Sequence, residues 1–458
     1  MSARKIVLGT ILYPSGHHVA AWRHPSTQVD ANIDVAHYIG AARAAEAAGF
    51  EIAFISDRLG VPKSRAEALR RVDEWSHGFE ALTLAAAVAT ATQTIGVVAT
   101  ASTTFSEPYN LARQLASLDL ISNGRIGWNI VTSSLQQESD NFNPGPDFDH
   151  AARYARADEF VDAVLALWGS WNPDGFVRDK ESGVFLAPDA VRSVDHEGRY
   201  FRSKGPLNVI PSRQGRPLLV QAGSSDAGKA LAARTADVVF TAQTDIVSAR
   251  GFYQDIRKRR AASGKNADDV LILPGIFPVI GRTKSEAEDK YAELQDLIQP
   301  DVALSLLETY LGDIDLSGID IDGPLPDLPV SNSIRSRQAL LAGLARKEGL
   351  SVGALARLIA GARGHWQVIG TPEEIAGQIE DWTASGAADG FMLLPPTFPN
   401  GQDDFIDGVV PLLRDRGLLN PGPRTGSLRE RLGLPALARN RPDDGRNRAG
   451  NQTQANGT

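Results

Sequence analysis

Short apolar runs alternate with amphipathic stretches along nearly the whole chain, and this rhythm restricts the fold more than any single motif. Residues 6–12 (IVLGTIL), 50–55, 94–100 (TIGVVAT), 125–131 (RIGWNIV), 217–222 (PLLVQA), 237–241 (DVVFT), 271–280 and 389–394 (DGFMLL) read as strands. Helical stretches follow at 32–48, closed by Gly49, and at 79–92, 108–121, 151–168, from 226, 246–262, and 403–416; one at 372–385 precedes the last strand. Strands apolar throughout, separated by helices, form parallel βα units whose two faces are both covered. Eight such runs are the number that closes a TIM (β/α)8 barrel. A doubly wound open sheet is the rival architecture, but it wants a GxGxxG turn after its first strand, and none stands there. The expected fold class is therefore α/β, a TIM barrel.

Two connections exceed ordinary βα turns. Residues 171–216 are rich in Gly, Pro and charge, and 298–370 carry a helical pattern around DVALSLLETYLG and the loop DLSGIDIDGPLPDLP. Long insertions in a compact domain serve as lids or pocket walls. Residues 1–436 are expected to form one barrel domain with these insertions, SLRERLGL being a short docking helix. Residues 437–458, rich in Asn, Arg and Gly, are expected to be a disordered tail.

Composition narrows the function. With no Cys, the chain has no disulfide, thiolate metal site or thiol nucleophile. A net charge of −8 argues against a nucleic-acid partner. No apolar run approaches the ~18 residues of a membrane span, and MSARKIVLGTIL lacks the apolar core and cleavage site of a signal peptide, so a cytoplasmic enzyme is expected.

Several constellations carry chemistry. GSSDAGKA (223–230) follows a strand and opens a helix. It nearly spells a P-loop, but Ala230 stands where the Mg²⁺-binding hydroxyl belongs, so NTP hydrolysis is disfavoured. What remains is a helix N-terminus with the Ser224 and Ser225 hydroxyls, suited to a terminal phosphate or to plain N-capping. His150 and Tyr154 share a helix face, able to reach a phosphate or a ribityl chain, or to pair at the surface. Asp57 and Thr100 end strands, where a barrel places its active site; turn chemistry and capping are the plain readings. The 125–131 strand and its polar continuation read as floor and wall of a site, with Trp128 and Asn129 presented to it; a buried Asn129 amide needs partners. His17 and His18 follow the first strand in GHHVAAWRHP. Adjacent and without a third ligand, they make a poor metal site, and contact with substrate, proton handling and a structural role all stay open, as for His365. DIDLSGIDIDG lacks the calcium-loop offsets, so no metal is expected. No GxSxG or HExxH occurs.

Taken together, GHHVAAWRHP, VATASTTFSEPYNLARQLASLDLISNGRIGWNIVTS, DNFN, the GPL…PSRQGRPLLVQAGSS run, IDGPLPDLP and VIGTPEEIA…ADGFMLLPP resemble the nitrilotriacetate monooxygenase, pristinamycin synthase and dibenzothiophene-sulfone monooxygenase group of luciferase-like flavin monooxygenases, over about residues 5–436. The resemblance implies a barrel that binds reduced FMN made by a separate NAD(P)H-dependent flavin reductase and uses O2 as co-substrate to oxygenate a small molecule, in some relatives with C–N or C–S cleavage. It implies FMN contacts at Asp57, Thr100, His150, Tyr154, Ser224 and Ser225. Tyr154 and the two serines would hold the phosphate. By our inference Asn129 lies along the ring, and His17 or His18 lies near the reacting oxygen. Asn143 departs from the glycine common in DNFN-like loops. A homodimer or homotetramer is the implied assembly. A deazaflavin-dependent oxidoreductase and a non-catalytic flavin-binding protein are the competing readings. The substrate stays open: basic residues spread through 59–78 and 171–216 leave room for a polyanionic chelator, and aromatic sulfones or halogenated aromatics stand level with it.

Overall fold

The computed structural model of the chain describes residues 5–61, 65–73, 78–133, 135–142, 150–329, 335–422 and 424–437. The loop position Asn143 and residues 438–458, nearly all of the expected tail, lie outside them.

The eight expected strands are all present, each within two residues of its expected ends: β1 (Val7–Ile11), β2 (Ile52–Ile55), β3 (Gly96–Ser102), β4 (Ile126–Val131), then, after a two-residue antiparallel pair β5 (His196–Glu197) and β6 (Arg202–Ser203), β7 (Leu218–Gln221), β8 (Val238–Thr241), β9 (Leu271–Ile280) and, following a strand the sequence reading missed, β10 (Trp366–Gly370), the last strand β11 (Gly390–Leu393). The main sheet is parallel throughout. Its ring runs β9-β11-β1-β2-β3-β4-β7-β8 and returns to β9, which closes an eight-stranded barrel. β9 is long enough to do two jobs. Its first half pairs with β8, and Ile276–Ile280 continue beyond the ring to pair with β10.

Alternation along each strand divides its side chains between two cores. In β3, Val98 faces the barrel interior with Val7, Phe54, Leu218 and Leu273. Its neighbours Val97 and Ala99 face the helical ring with Leu111, Leu115 and Phe160. β4 follows the same rule. Trp128 is directed at the helices, where its ring meets Phe160 and Trp168 and its Nε1 donates to the Ala101 carbonyl at 3.0 Å. This corrects the expectation that Trp128 faces the site; the two-residue period that turns Trp128 away turns Asn129 inward.

The helices start where local chemistry allows. Ser225, Asp245, Thr283 and Thr371 each cap a helix with a side-chain oxygen, and Thr371 forms a reciprocal box with Glu374. The expected helix at 403–416 is instead three consecutive pieces, with a π-turn at Phe405–Val409. Insertion 298–370 folds into helices Pro300–Tyr310, Arg335–Glu348 and Val352–Ala362. They share an apolar core of Leu306, Leu307, Leu341, Leu355 and Ile359 that also takes in Val19 from the loop after β1. The insertion is thus fastened to the C-terminal mouth of the barrel. Insertion 171–216 holds the β5–β6 pair and isolated bridges. At the opposite end, Leu428, Leu432 and Leu434 enter the barrel interior as a plug. No described helix is long and apolar enough to cross a membrane.

Candidate functional site

Two adjoining cavities open at the C-terminal mouth. The inner one, about 210 Å3, has an apolar floor of Ile11, Phe54, Phe240 and Leu394, with Asn129, His17, His365, Arg58 and Arg363 around it. The outer one, about 390 Å3, is walled by His150, Tyr154, Gln221 and the Gly223–Ser224–Ser225 turn, with Arg153 and Arg337. Asp57, Arg58 and Ala222 line both, so the cavities form one bent cleft.

One polar point of the inner cavity is set by the barrel strands themselves. Thr100 and Asn129 are register partners on β3 and β4. The Thr100 hydroxyl donates to the Ile55 carbonyl at 2.8 Å, and with its single proton committed there it accepts from Asn129 Nδ2 at 3.0 Å. That sets the orientation of the amide. Asn129 Oδ1 is then left buried with no hydrogen-bond partner, a lone acceptor on the cavity wall. Thr100, expected to lie along the ring, lines neither cavity; its hydroxyl holds the Asn129 amide.

Asp57 is tied to the mouth rather than free in it. Its carboxylate accepts from the Arg58 N–H at 2.7 Å and from the Ala81 N–H at 3.2 Å, at the start of the helix Ala81–Ala91. Capping and lining of the cleft are combined in one residue.

In the outer cavity the helix Asp226–Thr235 begins at Ser225, whose Oγ accepts from the Gly228 N–H at 3.1 Å and lies 3.4 Å from Tyr154 OH. The His150 and Tyr154 rings are 4.8 Å apart, so the shared face expected from their spacing is real. Gly223 and Gly228 let the turn approach the phenol: a Cβ at Gly228 would stand 3.0 Å from both the Gly223 backbone and Tyr154 OH. The capping reading of Ser225 is therefore correct, and the anion-cradle geometry survives beside it, since one cap satisfies one of several free N–H groups at a helix start. Lys229, the P-loop-like lysine, is paired with Asp255 at 2.9 Å.

The structure separates the two histidines. His17 lines the inner cavity, 5.7 Å ring to ring from His365, with Nδ1 2.7 Å from Tyr13 OH and Nε2 without a partner. His18 is buried against the loop, its Nδ1 accepting from the Ala20 N–H at 3.2 Å. His365 stacks on Phe240 at 5.3 Å. Gly275 makes room for it, because a Cβ there would fall 2.3 Å from His365 Nδ1. Burial, with Arg363 and His365 nearby, holds His17 well below the usual imidazole range; burial, with Arg337 and Arg363, does the same to His365. Both are neutral at physiological pH. The sequence reading did not single out Arg58, Arg337, Arg363, Tyr13 or Phe240. Arg363 and His365 stand in GARGHW, and only the pairing of β10 with the overhang of β9 brings that segment to the mouth.

Comparison with known proteins agrees with this architecture. Over 434 residues the chain is 45% identical to the N-acetyl-S-(2-succino)cysteine monooxygenase of Bacillus subtilis, covering 94% of this chain and 97% of that one. It is 41% identical to nitrilotriacetate monooxygenase component A of Aminobacter aminovorans, again over 94% and 97%. The crystal structure of a riboflavin lyase with modified FMN and riboflavin superposes with a TM-score of 0.85 at 34% identity, covering 94% of this chain and 97% of that one. Relatedness at this level favours reduced FMN with O2 over a deazaflavin or a non-catalytic flavin carrier. The pattern of the luciferase-like monooxygenases matches residues 15–389, and the chain belongs to that family of flavin-dependent monooxygenases.

Proposed function

We propose that the chain is the oxygenase component of a two-component system, taking reduced FMN from a separate NAD(P)H-dependent flavin reductase and oxygenating a small molecule that carries several carboxylates. The observation that carries this reading is the bent cleft itself: an apolar inner cavity with one orphaned acceptor, continuous with an anion cradle. Asn129 Oδ1 would accept from an N–H on the pyrimidine edge of the ring, with Thr100 fixing the amide. Tyr154, Ser224 and Ser225 would hold the phosphate, His150 and Asp57 the stretch between. When bound, reduced FMN supplies two electrons, so that substrate, FMNH2 and O2 give the oxygenated substrate, FMN and water. The chain's own work is to orient the ring, keep water from it with the floor of Ile11, Phe54, Phe240 and Leu394, and present neutral His17 and His365 beside the reacting position. With no dinucleotide fingerprint in this chain, the reductant comes from elsewhere.

Two of the relatives support this substrate class: the substrates in their names, N-acetyl-S-(2-succino)cysteine and nitrilotriacetate, each carry three carboxylates. A cytoplasmic setting, where reduced nicotinamide is plentiful, and a homodimeric or homotetrameric assembly go with the same reading.

Titration with oxidised and photoreduced FMN tests the cofactor site. We expect saturable binding, and for Tyr154→Phe a Kd raised by about tenfold, the loss of one hydrogen bond to a charged group. Absence of binding in both redox states would sink the proposal. An unchanged Kd in Tyr154→Phe would remove that residue from the phosphate site.

A further inference from the structure

We infer that Arg337, carried into the cleft by the long insertion, supplies the counter-charge to the FMN phosphate and selects the phosphorylated flavin over riboflavin. The inference rests on the cofactor reading above and deepens it. Tyr154, Ser224 and Ser225 offer hydroxyls and backbone N–H groups to an anion, but no full positive charge.

Two cavities place Arg337 beside the cradle. It lines the outer cavity with Tyr154 and the Gly223–Ser224–Ser225 turn. It also lines a neighbouring cavity of about 340 Å3, with Ser224, Lys229, Gln243 and Ser248. Ser224 and Arg337 are the two residues that these cavities share, so they stand together on the boundary between them. The helix that carries Arg337, Arg335–Glu348, is tied down next to it. Gln338 Nε2 donates to the Leu311 carbonyl at 3.0 Å and to the Pro329 carbonyl at 2.9 Å, and Leu341, one turn on, lies in the apolar core of the insertion.

The charge of Arg337 is left uncompensated by the protein. Its Nη1 donates to the Arg363 carbonyl at 2.6 Å, and its guanidinium carbon lies 5.5 Å from the centre of the Tyr310 ring. Both neighbours are neutral, and among the described residues no carboxylate lies within ion-pair distance of it. The other cations nearby are spent. Lys229 is paired with Asp255 at 2.9 Å, and Arg58 and Arg153 are engaged within the protein. Burial is the main cause that pulls the Arg337 pKa below the usual guanidinium value; the Tyr310 phenol opposes it, and the like charges of Arg363 and Arg58 add to it. A guanidinium nonetheless keeps its proton. A shielded cation without an anion carries a cost, and an incoming phosphate offsets it. The donors that the Arg363 carbonyl leaves over suit phosphate oxygens. The P-loop-like turn thus takes its cation from a separate segment, not from its own lysine.

A substrate carboxylate is the competing anion, so the experiment leaves substrate out. The full chain is titrated with FMN and with riboflavin, at low and at raised KCl. Riboflavin lacks only the phosphate, and its Kd reports whether each variant keeps the ring site. We expect native chain to bind FMN more tightly than riboflavin. Arg337→Gln should raise the FMN Kd by about tenfold or more and leave the riboflavin Kd within about twofold. Arg337→Lys, which keeps the charge without the planar fork, should fall between with its riboflavin Kd native. Added salt should weaken FMN binding more in native chain than in Arg337→Gln. An unchanged FMN Kd in Arg337→Gln, parallel salt responses, or FMN and riboflavin Kd values that rise together in both variants would each overturn the inference. So would native chain that binds the two flavins equally. Failure of native chain to bind FMN in either redox state would instead overturn the cofactor reading beneath it.

Discussion

At the scale of single residues, His18 is a buried imidazole whose Nδ1 serves the loop backbone. It is 1% exposed, and burial, with Arg363 adding to it, lowers its pKa to about 3. Folding therefore stabilises the neutral imidazole. The contribution is complete above about pH 6.5, the ordinary value, and drains away as pH falls toward 3, at up to ~1.4 kcal/mol per pH unit. Asp119 works in the opposite sense. Burial, against hydrogen bonds from Ser212 and Gln214, raises it to about 6, so its contribution is complete below about pH 4 and is lost as pH rises through 6. Comparing native chain with His18→Asn cancels the Asp119 effect, and Asn keeps an acceptor for the Ala20 N–H. The variant is expected to lose stability less steeply on acidification from pH 6.5 to 4, by roughly one proton's worth of slope in denaturant midpoints. Parallel profiles would show that His18 is not buried neutral.

At the scale of elements, the strands were legible because each carries its own pattern, and the helix starts because a cap is a local device. β10 was not. Trp366, Val368 and Gly370 alternate with half-buried Gln367 and Ile369, a weak edge-strand signature inside a long insertion. Its partner is the overhang of β9, ninety residues back in sequence, and nothing local announces that pairing. The candidate site divides the same way. Ser225 and the His150–Tyr154 face were visible from spacing, and Asn129 from its apolar neighbours. The His17–His365 contact and the place of Arg363 at the cavity depend on how the insertion docks. The Gly223–Gly228 turn belongs with the legible part, and it can be tested as an element. Gly228→Ala suits a helix by propensity, by about 1 kcal/mol, yet the added methyl would press on Gly223 and Tyr154 OH. The expected outcome is a protein whose melting temperature stays within a few degrees of native, with FMN affinity down by about tenfold. Native FMN affinity in this variant would mean that the turn does not touch the phosphate.

At the scale of the whole molecule, the chain past the last barrel helix returns to seal the barrel at the end opposite the cleft. Arg431 Nε meets Glu51 Oε2 at 2.8 Å, Arg424 Nη2 meets Glu51 Oε1 at 2.7 Å, and Arg429 Nη2 meets Asp237 Oδ2 at 2.8 Å. Burial pushes the Asp237 carboxyl up, but Arg216 and Arg429 outweigh it and hold the group at about 2. Glu51 precedes β2 and Asp237 precedes β8, so these pairs tie the plug to two distant points of the ring. The leucines it inserts fill the interior below β3, where a Cβ at Gly96 would collide with Leu428. We propose from this that residues 1–436 unfold as one domain, and that the plug is part of its cooperative unit. Stranding a buried charge costs ~3–5 kcal/mol, and loss of Arg431 leaves Glu51 with Arg424 alone, so the cost there falls at the lower end, about 3 kcal/mol. Arg431→Met is expected to lose about that much in urea titration, while its FMN Kd stays native because the cleft is at the other end of the strands. Glu51→Leu in the same chain should recover part of the loss. Far-ultraviolet dichroism and tryptophan fluorescence should trace one transition in the native chain. An early separate phase would show the long insertion or the plug melting alone, and would divide the molecule where its packing suggests a single body.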